Sequence, residues 1–227
     1  AVTSTHVPHE LKMDRARSLQ IDREDMDETG IANLAGQVLG EYVRTEVVPE
    51  CDAYILSTLA GIANTADQTV TWDKTKPYEV FTQLMLKSQN VAGFDAELVC
   101  FVDSEAYGAL MNSNEFTRSV TVSDFKQGGV DLKVKSINGV AIIPVSSNRM
   151  RLGTTFGTDG FTPGSTEVHM IVLPKKAAGV VKKSEKMRIF TPEQNLGADA
   201  YKFDYRIYYD VLVKKSAKGT IFASIGA

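Results

Sequence analysis

Residues 31–62 read IANLAGQVLGEYVRTEVVPECDAYILSTLAGI, and their spacing decides the fold. Ile31, Leu34, Ala35, Val38, Leu39 and Tyr42 recur at intervals of three and four. After Val47 the stripe continues through Cys51, Tyr54, Ile55, Thr58, Leu59 and Ile62. This is the apolar face of a helix. Pro49 lies in its middle; the ring removes one backbone donor and crowds the preceding turn, which predicts a kink or short break near 47–50. The span is roughly 48 Å at about 1.5 Å per residue, while a compact sphere of this chain length is about 45 Å across. An elongated, plate-like subunit is the expectation.

Working outward, residues 12–27 are charged and short of turn residues, which predicts a strand leading into the acidic turn Glu24-Asp25-Met26-Asp27-Glu28. Asp27 or Thr29 can cap the helix that follows, and the acids favour the positive end of its dipole. Near the other end, Tyr201, Phe203, Tyr205, Ile207, Tyr209, Val211 and Val213 occupy every odd position. Period two over that span means a strand roughly 43 Å long, far beyond the usual 5–6 residues. Met187–Phe190 is its expected partner, joined through the polar connection 191–199.

Between the two long elements the pattern is mixed α/β. It predicts a helix over 78–89 ended by Asn90–Gly93, a buried strand at Leu98–Val102, and a helix over 103–112 capped by Asp103 or Ser104. Leu132–Ser136 and Val140–Val145 form a hairpin, because Asn138-Gly139 supplies the two positive φ values of a type I′ turn. The Gly- and Thr-rich stretch 153–165 reads as a mobile loop, and Val168–Leu173 as a strand. The fold class is α+β.

Chemistry is harder to find. The 227 residues carry 25 Lys and Arg against 28 Asp and Glu, a net charge of −3, which is no footprint for a dedicated nucleic-acid surface. No run of about 18 apolar residues predicts a membrane span. Cys51 and Cys100 sit in apolar stretches and read as reduced core thiols, with a single disulfide the alternative. The absence of a signal peptide favours a reducing compartment. His6 and His9 could share a metal only with Glu10, and His169 reads as a structural histidine within a strand. The acids of 22–28 lack the Gly and Glu of a calcium loop. No phosphate cradle, nucleophile elbow or zinc helix is present. No catalytic, cofactor or metal residue is therefore expected. What stands out is charge of both signs on the long elements: Glu41, Arg44, Glu46, Glu50 and Asp52 on the helix, and Lys202, Asp204, Arg206 and Asp210 on the strand. These are the candidate subunit-interface residues, with plain solvation as the alternative.

Three series of residues carry a resemblance. The first is Asp14-Arg15-Ala16-Arg17-Ser18…Ile21-Asp22…Met26-Asp27-Glu28-Thr29, followed by Glu41-Tyr42-Val43-Arg44-Thr45-Glu46-Val47-Val48-Pro49-Glu50-Cys51-Asp52-Ala53-Tyr54. The second is Asn114-Glu115-Phe116-Thr117-Arg118 with Asn138–Val145. The third runs from Val180 through Ile189-Phe190-Thr191-Pro192-Glu193 to Ala198–Asp210. In this order, over about residues 12–222, the chain resembles tailed-bacteriophage major capsid proteins of the HK97-like fold.

The resemblance implies an elongated peripheral (P) domain, 1–66 and 188–227, with a spine helix and long strands, and a compact mixed α/β axial (A) domain, 67–187. It implies no enzyme activity and no cofactor. It implies hexamers and pentamers closing into an icosahedral shell around double-stranded DNA, assembled in the cytoplasm of a bacterial host and ending in the virion. Scaffold, portal and decoration proteins are the expected partners, packaged DNA is contacted weakly, and no membrane is involved. The family's N-terminal arm and extended loop precede the motif that begins near residue 12, so most of that region is expected to be missing and the 227 residues to assemble poorly alone. The alternatives are an encapsulin-type nanocompartment shell protein and a metal-dependent α/β hydrolase using His6, His9 and acids.

Overall fold

A computed structural model describes residues 8–24, 34–113, 120–127 and 130–226. The helix start at 31–33, the acids at 25–28, the 114–118 motif and His6 lie outside them. In chain order the elements are β1 (Met13–Asp22), α1 (Leu34–Tyr42), a π-helical turn (Val43–Val47), α2 (Val48–Ala63), β2 (Thr69–Thr71), α3 (Pro77–Ala92), β3 (Leu98–Val102) and α4 (Ser104–Met111). There follow β4 (Val120–Gln127), β5 (Val130–Ile137), β6 (Val140–Pro144), a 3-10 turn (Ser147–Arg149), β7 (Arg151–Leu152), β8 (Thr155–Gly157) and β9 (Gly160–Thr162). The chain closes with β10 (Thr166–Pro174), β11 (Ala178–Phe190), β12 (Ala200–Val213), a 3-10 turn (Lys215–Thr220) and β13 (Phe222–Ile225).

The helical assignment runs without interruption from Leu34 to Ala63, and the irregularity at Pro49 takes a definite form. Proline stands in the first turn of α2 and cannot bond back to the previous turn. The chain widens into the π-turn 43–47 just before it.

Contacts divide the chain into two compact units. The first comprises 1–45 and 180–212. Its sheet has the order β1-β12-β11. β1 runs antiparallel to β12 in unbroken register from Met13↔Tyr209 to Asp22↔Ala200. The alternation read from the sequence is a real division of faces: Phe203, Tyr205, Ile207, Tyr209 and Val211 are buried. Tyr42 of α1 meets Tyr205 edge-on at 6.3 Å between ring centroids. The expected partner of β12 was a four-residue segment; β11 is 13 residues long, and β1 is a second neighbour.

The second unit comprises 46–179 and 213–227. Its main sheet has the order β2-β13-β10-β3-β6-β5-β4, with β7 paired to β10. β3 and β10 are nearly uniform apolar runs, as expected of strands covered on both faces. α3 lays Val80, Phe81 and Leu84 against Cys100, Leu110 and Met170 in one core cluster. Each such side chain contributes about 1.5–3 kcal/mol by leaving water. α3 is longer than expected but ends where predicted, with Gly93 at φ 98° and its N–H donating to the carbonyl of Gln89. Asp103, not Ser104, caps α4: its side chain accepts from the Ala106 N–H. The β5–β6 turn has φ 51° at Asn138 and 79° at Gly139, the left-handed pair the sequence predicts.

Two expectations need correction. Residues 153–165 are not an irregular loop; Thr155–Gly157 pairs with Gly160–Thr162 in a short hairpin, and Phe156 packs edge-on against Tyr54 at 5.5 Å. The Phe156–Tyr54 contact ties the hairpin to α2. Cys100 is fully buried, and burial pushes its thiol far above the usual range. Cys51 is only half-buried, so it is not a core thiol as read; the two cysteines do not form a disulfide.

Candidate functional site

The charged positions singled out on the helix and on β12 are for the most part already paired within the chain. On the helix, Arg44 donates to both carboxylate oxygens of Glu41, at 3.0 and 2.5 Å. The hydrogen bond from Arg44 holds the Glu41 carboxyl below its ordinary value. The Thr45 hydroxyl caps this turn by donating to the Glu41 carbonyl at 2.9 Å. Glu46 is exposed and Glu50 half-buried. Asp52 meets Arg149, 97 residues away, at 2.9 Å.

The Asp52 carboxyl is pushed up by burial, against a smaller opposing pull from Arg149. The sign follows from linkage. A carboxyl whose folded pKa exceeds its unfolded one binds more protons when folded, so stability falls as pH rises through the interval between the two. Asp52→Asn is therefore expected to flatten the decline in stability just above the ordinary Asp pKa, seen as a smaller pH dependence of the urea midpoint between about pH 4 and 6.

On the strand, Arg206 grips Asp14 of β1 with two hydrogen bonds, 2.9 and 2.5 Å, between residues 192 positions apart. That bond holds the Asp14 carboxyl low. Lys202 stands 3.7 Å from Asp204. Asp210 is buried and gathers the segment before β1: its carboxylate accepts from the Lys12 N–H at 3.2 Å and lies 3.3 Å from His9 Nε2. The Tyr208 hydroxyl donates to the Leu11 carbonyl at 3.1 Å beside it.

Sequence reasoning missed three partners. Asp14 lies in the charged stretch read as a strand, but its pairing with Arg206 depends on the β1–β12 register, which no local pattern records. Nothing local marked Arg149 as the mate of Asp52. Nor did anything mark Glu185, which accepts from the Tyr205 hydroxyl at 2.7 Å and is held low by Lys182 and Tyr205.

His169, read as a structural histidine, sits inside β10. It is 2% exposed and stacks on Trp72 at 4.7 Å between centroids. Its Nδ1 lies 3.3 Å from Asp103 Oδ2, too far off line to count as a hydrogen bond, and Nε2 is 3.8 Å from Glu167. Among the described residues no group of three or more His, Cys, Asp or Glu side chains is placed to hold a metal ion. Among them, too, no helix is long and apolar enough to cross a membrane.

A long helix interrupted only by a π-turn, a long-stranded three-strand sheet and a mixed sheet flanked by two helices together define an HK97-like α+β fold. Solved structures agree. The head structure of Helicobacter pylori bacteriophage KHP40 matches with a TM-score of 0.63 at 11% identity, over 95% of this chain and 74% of that one. A structure from Gordonia phage Cozz matches with a TM-score of 0.63 at 13% identity, over 100% and 79%. The SrpI encapsulin complex from Synechococcus elongatus PCC 7942 matches with a TM-score of 0.57 at 11% identity, over 94% and 72%. No protein-family profile and no curated protein sequence matches the chain.

Proposed function

We propose that the chain is a structural shell subunit, the major capsid protein of a tailed phage or prophage, rather than an enzyme. The observation that carries this reading is the likeness to the KHP40 head over nearly the whole of this chain. In this reading copies form hexamers and pentamers that close into an icosahedral shell around double-stranded DNA. Residues 1–66 and 188–227 form the peripheral domain and 67–187 the axial domain; this is a division by position in the capsomer, so it differs from the grouping by contact density. Scaffold, portal and decoration proteins of the same phage are its further partners, packaged DNA touches it weakly, and assembly takes place in the host cytoplasm.

The charged faces serve registration between neighbours. Pairs such as Glu41–Arg44 and Asp14–Arg206 are internally fixed, so they present an oriented pattern of charge instead of loose side chains. Exposed Glu46 is the one most available to a neighbour's cation. Glu46→Lys is expected to change folding stability by no more than about 0.5 kcal/mol, yet to lower particle yield at low salt, with recovery as salt screens the contact.

The decisive experiment expresses the full reading frame and measures mass by light scattering after size-exclusion chromatography, with negative-stain microscopy of the large fraction. Closed particles many times the mass of one subunit are expected. A monomer at every concentration, or stoichiometric bound zinc or manganese with hydrolytic turnover, would overturn the reading. The second reading, an encapsulin-type nanocompartment, is favoured by the SrpI likeness. Closed particles holding a protein cargo in place of DNA would select it.

A further inference from the structure

The sheet of the first unit carries a groove of about 460 Å3 crossed by all three of its strands. Ala16 and Ser18 contribute small side chains to its lining, with Lys186, Arg188 and Arg206 and a single acid, Asp204. The three strands together hold eight basic residues against five acidic ones, in a chain whose net charge is −3. Positive charge is therefore gathered on this sheet and negative charge lies elsewhere. Arg206 is engaged by Asp14, but Lys186 and Arg188 are exposed and make no ion pair among the described residues.

Residues 22–28, Asp-Arg-Glu-Asp-Met-Asp-Glu, are the matching charge: five acids in seven positions, with one arginine. We propose that this groove receives residues 22–28 of a second copy of the chain. Guanidinium groups fork onto carboxylates and lysines act as point charges, so a ring of both suits a short run of acids more than one isolated anion. The contact lies at the surface, so it sets which copies meet and in what register, and it weakens with salt. The inference needs copies to meet and in that respect rests on the shell-subunit reading; its test does not.

A fluorescein-labelled peptide of residues 20–30 is titrated with the 227-residue chain and followed by anisotropy at 50 and 300 mM salt. Saturable binding is expected, weakened at least about tenfold by the higher salt. Lys186→Glu with Arg188→Glu, at two exposed positions whose change leaves the core intact, is expected to abolish it. The same variant is expected to bind a peptide with lysines in place of the five acids. Binding of an uncharged Asn/Gln peptide as strong as that of the native one overturns the proposal, as does binding unaffected by the double reversal. It is equally overturned if a 20-base-pair DNA duplex binds through Lys186 and Arg188 while the peptide does not. Peptide binding seen only when Asp25, Asp27 and Glu28 are neutralised in the chain itself shows the groove filled by its own stretch, and also overturns it. Peptide binding without particles from the full reading frame leaves this contact standing and sinks the shell reading. Normal particles from both wild type and the double reversal, without peptide binding, do the opposite.

Discussion

Phe81→Ala is expected to lower unfolding free energy by about 3–5 kcal/mol, the cost of removing a wholly buried ring and leaving a void. Phe81 is 0% exposed and stands on the inward face of α3 between Val80 and Leu84. Its neighbours come from strands and helices distant in sequence, including β3, α4 and β10, so the surround is braced on several sides and cannot collapse into the space. A loss of that size is comparable with a large part of a domain's net stability. Urea unfolding followed by circular dichroism should show the midpoint fall with little change in slope. Phe81→Leu, which refills most of the volume, should recover more than half of the loss. A change below about 1 kcal/mol for the alanine variant would mean that α3 does not pack on the sheet in this register.

Asp103→Ala is expected to cost about 2–4 kcal/mol, from two separable sources. The first is the cap. Asp103 Oδ1 accepts from the Ala106 N–H at 2.8 Å, and losing such a cap costs about 1–2 kcal/mol. The second is the other oxygen, which accepts from the Ser147 hydroxyl at 3.3 Å and faces the buried His169 ring. Removing it takes the acceptor from the half-buried Ser147 hydroxyl, at about 1–2 kcal/mol. Asparagine caps about as well as aspartate. Asp103→Asn should therefore recover the first part only, and denaturant curves of the two variants partition the total. Equal losses in both would show that the charge, not the cap, carries the effect.

The elements legible in the sequence are those whose neighbours are encoded locally. β12 declared itself because alternate burial leaves a period of two, and β3 because a five-residue apolar run between turn signals has few other uses. Asn138-Gly139 fixed a turn because few residues tolerate that backbone. Pro49 located an irregularity, but whether a helix answers a proline with a kink or a widened turn depends on what surrounds it. β4 escaped because Val120, Val122 and Phe125 break strict alternation. The 153–165 hairpin escaped because its order comes from Phe156 meeting Tyr54, a contact roughly a hundred residues long that no local pattern records. The candidate interface residues were legible as charges on long elements, but not as pairs. Which acid meets which base is settled by register across strands, as with Asp14 and Arg206, or by a turn arriving from elsewhere, as with Arg149 and Asp52.

The bond from the Lys12 amide to Asp210 joins residues 198 positions apart, and the β1–β12 ladder runs from Met13 with Tyr209 to Asp22 with Ala200, separations of 196 down to 178. During translation at about 5–20 residues per second, β1 must wait roughly 10–40 s for its mate to leave the ribosome. The second unit waits as well, because β13 lies between β2 and β10 and pairs with β2 across 154 positions, Ala223 with Thr69. Neither sheet can be finished until β12 and β13 have left the ribosome. The codons for β12 and β13 thus act as a timer, and a subunit has no finished surface to offer a fellow subunit until they have been translated.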